Sequence, residues 1–344
     1  MFKKSTLLLA LFILLFLAGN VFSQEQSPYG KVLTLDENGT QQWIYVWDII
    51  GGGGNSWLLN GNSISEGNFL GTTNDQPLVL KVNNTHAMSF YYVTDEENGY
   101  VNIVGGSESN SIVNSYSSVI VGGGVTDPDE DPPGENYIEY SLSSIIGAGY
   151  WNQINNASSS GIMAGKGNTV WANYCFIGGG KFNIAGLYDA GYYEGDLSGI
   201  LGGERNYTRG NNSMAVGSFL ETVSYSEIVL GLYNSNDGYE GDFETYQSDD
   251  RLLVVGNGSS YVSRSNSLVM LKNGKTAIGS NVATPTSTLD LQGVYGYNQL
   301  RLRTSYTPTG TDDTNGEVGD VAWDDDYLYI KTSAGWKRVA LSTW

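Results

Sequence analysis

The chain has 344 residues, among them 46 glycines and 24 tyrosines, with one cysteine, one histidine and a formal charge of −19. Such an acidic surface repels phosphate backbones and argues against a nucleic-acid partner. One histidine and one cysteine cannot furnish the three or four ligands of a zinc site, and a lone cysteine cannot close an internal disulfide. Strong helix formers are sparse, while β-branched and aromatic residues alternate with turn residues, so the chain is expected to be all-β.

In chain order, Lys3 and Lys4 precede an apolar run at residues 7–18, then small residues at Val21 and Ser23. This reads as an export leader over 1–23 with cleavage before Gln24. The run is short of the roughly 20 apolar residues a membrane helix needs. A secreted, extracellular or bacterial cell-surface protein is expected, not membrane-spanning once the leader is removed. Residues 24–100 read as an N-terminal β segment. Within it "QWIYVWD" alternates enough for one or two strands, and "GGGGN" at 51–55 reads as a flexible joint.

From residue 101 to 234 one nine-residue phrase returns. It begins at Val101, Ser118, Ser144, Ser160, Cys175, Ser198, Ser213 and Ser226. Its third residue is Ile103, Ile120, Ile146, Ile162, Ile177, Ile200, Ala215 or Ile228. Glycine pairs follow, as at Gly122 and Gly123 or Gly202 and Gly203, and the phrase closes on Asn152, Asn168, Asn183 or Asn206. Two residues on lies a further, often apolar slot at Ile154, Val170 and Val223. The spacing is about 15 residues, broken by insertions at 126–135 and 188–196 that mark loops on one side of a stacked array. Period-2 apolar placement gives one short strand, the glycines allow positive φ, and the asparagines can bond coil to coil as a ladder. Two short strands and two turns per unit predict a parallel solenoid. Its core is so thin that packing of several copies is expected to cover its apolar stripes.

The pattern N-x-[IV]-x4-S-x-I-x-G-G resembles the head repeat of trimeric autotransporter adhesins, the YadA-like head, over residues 101–234. That resemblance implies a left-handed parallel β-roll of about 15-residue coils assembled as a homotrimer, with an extracellular protein or glycan as ligand. The segment 55–84 resembles a module of tail-fibre-like surface proteins. Residues 235–297 read as a β connector. It contains a hairpin around Asn273 and Gly274 and "TPTSTLDLQG", similar to a stretch of fibre proteins that often precedes a self-cleaving domain; autoproteolysis is not carried over. Residues 298–344 read as a small β module, with strands around 321–323, 327–332 and 336–341. They lack the alternation of an outer-membrane barrel anchor, a departure from the autotransporter pattern.

Chemistry is sparse. His86 reads as a strand-edge residue, and Cys175 as a small side chain in a slot usually held by serine. Asp127, Asp129, Glu130 and Asp131 could supply oxygen ligands to Ca²⁺ on composition alone, and no cofactor is expected. Two insertions set tyrosine beside acids: Tyr192, Tyr193, Glu194 and Asp196 in one, Tyr239, Glu240 and Asp242 in the other. Such groups can stack on and hydrogen-bond sugars or protein ligands. The sequence thus points to an adhesin-like surface protein without catalysis. A phage-type tail fibre or tailspike is the alternative, and a β-helical polysaccharide-degrading enzyme a third reading.

Overall fold

A computed structural model describes residues 64–124, 134–189, 192–279, 284–293 and 295–344, together with two strand segments, 31–35 and 41–45. The leader, the joint at 51–55 and the acidic segment with Asp127, Asp129, Glu130 and Asp131 lie outside these residues. The chain divides into two compact units, Met1–Gly71 and Thr72–Trp344. In the first, β1 (Lys31–Leu35) pairs antiparallel with β2 (Gln41–Tyr45), in register from Lys31 opposite Tyr45 to Leu35 opposite Gln41.

The second unit is built on two long sheets, and the described residues contain strands but no helix. The larger sheet has fourteen strands among the described residues, the smaller one seven. A single coil contributes a short strand to each. Thus β9 (Ile145–Ile146), β11 (Gly161–Ile162), β13 (Phe176–Ile177) and β17 (Gly199–Glu204) lie in parallel in the larger sheet. Likewise β8 (Tyr137–Glu139), β10 (Gln153–Asn155), β12 (Thr169–Val170) and β14 (Ile184–Ala185) lie in parallel in the smaller. This is the parallel, solenoid-like stack that the repeat predicts.

Inward from the larger sheet point Ile120, Ile146, Ile162, Ile177, Ile200 and Ala215, all fully buried. Ile138, Ile154, Val170 and Ala185 join them from the smaller sheet in one core. Each buried isoleucine contributes about 1.5–3 kcal/mol. At the end of the phrase the expected ladder is present. Asn152 Nδ2 donates to Asn136 Oδ1, and the bond recurs from Asn168 to Asn152, Asn183 to Asn168 and Asn206 to Asn183, each at 3.0 Å. The second Nδ2 hydrogen goes forward to a glycine carbonyl, as from Asn168 to Gly180 O at 3.1 Å. One asparagine per coil therefore satisfies itself and two neighbours. A serine column does the same at the start of the phrase, where Ser160 N donates to Ser144 Oγ at 3.3 Å and Cys175 N to Ser160 Oγ at 3.0 Å.

Registers correct the reading in three places. Val104, not Ile103, pairs with Ile120, and Val229, not Ile228, pairs with Ala215. Ile228 is therefore half-buried on the outward side, and the last phrase starts at Glu227 rather than Ser226. Thr222 rather than Val223 fills the slot beside Thr208. The glycine pairs are also unequal. Gly123 and Gly203 have φ of 77° and 105°, and a Cβ at Gly203 would run into the Gly217 carbonyl, whereas Gly122 and Gly202 face open space.

Hairpins close both ends of the stack. β3 (Leu78–Val82), β4 (Thr85–Thr94) and β5 (Gly99–Gly105) are antiparallel before the first coil. After the last coils, β22 (Arg251–Asn257), β23 (Asn266–Leu271) and β24 (Thr276–Gly279) turn antiparallel again, closing through Gly274 at a φ of 87°. The larger sheet thus runs unbroken across residues 100/101 and 234/235. A separate antiparallel meander, β26 (Val321–Trp323), β27 (Tyr327–Thr332) and β28 (Gly335–Ala340), has its own core of Ala322, Tyr329 and Trp336.

Candidate functional site

The tyrosine–acid insertions fall on one side of the roll, as their spacing implies. The first forms a hairpin of β15 (Leu187–Asp189) with β16 (Tyr192–Glu194). Tyr188 stacks on Trp171, which follows β12, at 6.1 Å between ring centroids. Tyr192 and Tyr193 are strand residues of β16; their side chains lie outside the described set. Glu194 pairs with Arg209 at 3.3 Å, and the Arg209 guanidinium lies 5.9 Å from the Phe243 ring of the second insertion. Arg209 thus links the two loops. Asp196 accepts from Asn173 N at 2.8 Å, and Asn211 Oδ1 accepts from both Gly195 N and Asp196 N at 2.9 Å.

The second insertion, residues 236–250, covers a charged cluster absent from the sequence reading. Glu227 occupies the serine slot of its coil and is fully buried. Its Oε2 accepts from Val223 N at 2.7 Å and Ser224 N at 3.0 Å, while Oε1 has no hydrogen-bond partner. Burial raises its pKa to about 7, against the pull of those donors and of Arg251. Arg251, also fully buried, donates to Asn236 Oδ1 at 2.8 Å and stacks 3.8 Å from the Tyr239 ring centroid. The Tyr239 hydroxyl donates to Asp250 Oδ1 at 3.1 Å and accepts from Arg251 N at 2.9 Å. Burial pushes that phenol up to about 12. Lys272 Nζ lies 3.8 Å from Asp250 Oδ2, with its side chain 2% exposed, and burial lowers its pKa.

Of the expected ligand contacts, Tyr239 therefore points inward as a clamp on Arg251, and Glu240 is exposed. Asp242 organises its own loop. Its carboxylate accepts from Thr245 Oγ1 at 2.7 Å, Thr245 N and Glu244 N at 2.9 Å and Gln247 Nε2 at 3.0 Å, which hold its pKa well below the usual carboxylate range. Glu227 is thus a fully buried carboxyl raised toward neutrality by burial, beneath a loop whose own acid, Asp242, is held ionised by its hydrogen bonds. The clue in the sequence was the 13-residue step from Ser213 to Ser226, two short of the period.

The other chemistry-bearing residues act structurally. His86 Nδ1 donates to Gly106 O at 2.9 Å and Nε2 lies 2.8 Å from Ser89 Oγ, within the strands that open the stack. Cys175 is buried in the serine column 3.4 Å from Ser198 Oγ, and burial pushes its thiol up to about 11. In the C-terminal meander a recess of about 300 Å³ opens beside Tyr306, Asn315, Asp320 and Trp336.

No protein-family model and no solved structure matches the chain. Over 95 residues, 27% of this chain and 11% of the other, it is 40% identical to "Depolymerase, capsule K30/K69-specific" of Klebsiella phage K64-1. The matched segment is about a ninth of that protein's length. This similarity is to a phage protein and favours the phage-type alternative of the sequence reading over the adhesin; the YadA-like head finds no matching family model. It also corrects the expectation that no catalysis is involved, since the similar protein is by name an enzyme.

Proposed function

We propose that this chain is a tail-fibre or tailspike-like protein, extracellular or virion-associated, whose β-roll engages a polysaccharide. The observation that carries the reading is the 95-residue similarity to a capsule-specific depolymerase, beside the long stack of parallel strands of this chain. The architecture suits the target. A roll repeats its surface groups at a pitch of about 4.8 Å, so a polymer of like units meets the same groups again along its length.

Left-handed winding and a homotrimer belong to the proposal. Ile145 and Phe176 in one register column, and Val121, Met163 and Leu201 in the column two residues on, are exposed apolar side chains flanking the buried isoleucines of the larger sheet. Contiguous apolar patches of this kind are uncommon on soluble monomers, and copies packed side by side would cover these side chains. The glycan or extracellular protein ligand is the remaining partner.

Two measurements test the reading. The full chain is incubated with acidic capsular polysaccharides and with neutral ones, and bound polymer, solution viscosity and new chain ends are followed. Retention or shortening of at least one polysaccharide is expected; a folded chain that neither holds nor shortens any of them overturns the proposal. Sedimentation at low concentration is expected to return three times the chain mass, and a persistent monomer removes the trimer.

A further inference from the structure

Residues 101–234 hold thirteen acids and only four cations, Lys166, Lys181, Arg205 and Arg209. Three of the four stand on one corner of the roll, in consecutive coils. Parallel bridges align Tyr150 with Lys166, Lys166 with Lys181 and Lys181 with Glu204. The next residue of each coil forms a second column, which passes through Trp151, Gly167, Phe182, Arg205, Phe219 and Tyr233. Backbone bonds tie the columns together, with Phe182 N donating to Lys166 O at 2.9 Å, Arg205 N to Lys181 O at 3.0 Å and Phe219 N to Glu204 O at 2.7 Å. Over its five steps this corner runs about 24 Å along the roll, at ~4.8 Å per coil.

Rings and cations alternate there. Lys166 Nζ lies 4.8 and 4.6 Å from the Tyr150 and Trp151 ring centroids. Arg205 sits between Phe182 at 5.3 Å and Phe219 at 5.6 Å, and Phe219 stacks on Tyr233 at 4.4 Å. The heads of Lys181 and Arg205 remain accessible, with side chains 52% and 55% exposed although both reach Glu204, while Lys166 is half-buried. The backbone adds a second observation. Trp151, Phe182, Arg205, Phe219 and Tyr233 all have φ between 44° and 59°, a region where bulky side chains are strained and asparagine or glycine is easier. At the corner before the serine column the same conformation falls on Ser117, Ser143, Ser159, Asn212 and Ser226, and also on Tyr174 and Leu197. In the second column every non-glycine residue named from Trp151 to Tyr233 is a ring or a guanidinium, held against local preference.

We infer that this corner, Trp151 to Tyr233 with Lys166, Lys181 and Arg205, is the docking edge for an acidic polysaccharide, a polymer carrying uronate or similar carboxylates. The cations meet its charges, on a chain whose surface elsewhere repels them. The half-buried rings, stacked along the column, offer apolar edges to sugar rings, and the coil pitch sets the repeat. The inference rests on the polysaccharide reading above and names its substrate class and surface.

The test uses the full chain with sodium alginate and hyaluronan as acidic probes and dextran as the neutral one. Binding to alginate or hyaluronan and not to dextran is expected, weakening with added salt. The triple variant Lys166→Glu, Lys181→Glu, Arg205→Glu is expected to weaken it at least about tenfold. Lys81→Glu, on the strand β3 far from this corner, is expected to leave it unchanged. Should the triple variant fail to fold by circular dichroism, Lys181→Gln with Arg205→Gln serves instead, with a smaller loss in the same direction. A folded variant that binds the acidic probes as well as the parent overturns the edge while leaving the polysaccharide reading intact. Preference for dextran overturns the acidic class. A parent chain that binds and cleaves no polysaccharide removes both.

Discussion

Two stretches of the same roll bury polar atoms by opposite means. In the coils from Ile120 to Ile200, the repeated interior polar residues meet their counterparts one coil away, asparagine amide to asparagine amide and, in the serine column, backbone N–H to the preceding hydroxyl. At the end, from Glu227 to Lys272, the serine slot holds a carboxylate, and its neutralising cations come from strands far along the chain. The first solution extends for as many coils as the phrase repeats. The second works once, because it requires one particular loop to bring Asn236, Tyr239 and Asp250 onto Arg251 and Lys272. Repetition makes burial cheap through identity, while termination makes it specific through charge.

The largest expected effect breaks the charged end. Arg251→Ala leaves the Ser235 carbonyl and the Asn236 side-chain oxygen without their donor and empties the space against the Tyr239 ring, and is expected to cost about 3–5 kcal/mol, read from denaturant unfolding. If it unfolds like the parent, the cluster contributes nothing to the end of the roll. In the regular coils Ile162→Ala opens a cavity in the core and is expected to cost about 2–5 kcal/mol by the same measurement.

A pH series sharpens the contrast. Glu227 has a pKa near 7 in the folded chain and an ordinary value of 4.5 when unfolded. The folded state therefore holds its proton more tightly. That contribution is complete below about pH 4.5 and is lost as the pH rises through about 7, on the order of 3 kcal/mol. Thermal unfolding of the parent compared with Glu227→Gln is expected to show this loss in the parent alone; parallel curves would show that Glu227 does not titrate in that window. Asn168→Ala is expected to cost about 1–3 kcal/mol, because the Asn183 backbone donor that its oxygen accepts is left buried. The smallest effect tests register. Ile228→Ala on the outward side is expected to cost under about 1 kcal/mol, well below Val229→Ala in the core, in paired urea titrations.

Much of the regular coil was legible in advance. Isoleucine at a fixed step, a glycine after it and an asparagine at the end each state a local requirement, and the ladder follows from stacking identical coils. The strands of the C-terminal meander were legible from alternation to within a residue. The frame slipped at Val101 and Ser226, where Val104 and Val229 replace isoleucine in the core and the neighbouring Ile103 and Ile228 imitate the phrase from outside. Of the candidate site, the pairing of tyrosine with acids was visible, but not that Tyr239 would turn inward onto Arg251. Arg251 and Lys272 lie 24 and 45 residues beyond Glu227 in sequence. No local pattern relates them.

What the chain's letters determined alone is the period and, through it, the all-β stack, because each coil meets a copy of itself and local rules then suffice. What only the tertiary structure decided is which side chains face each other across unlike elements: the ion cluster beneath residues 236–250, the bridge of Arg209 between two loops, and the alignment of Lys166, Lys181 and Arg205 on one corner. Those contacts depend on register and on long-range closure, which a one-residue slip would turn to the opposite face.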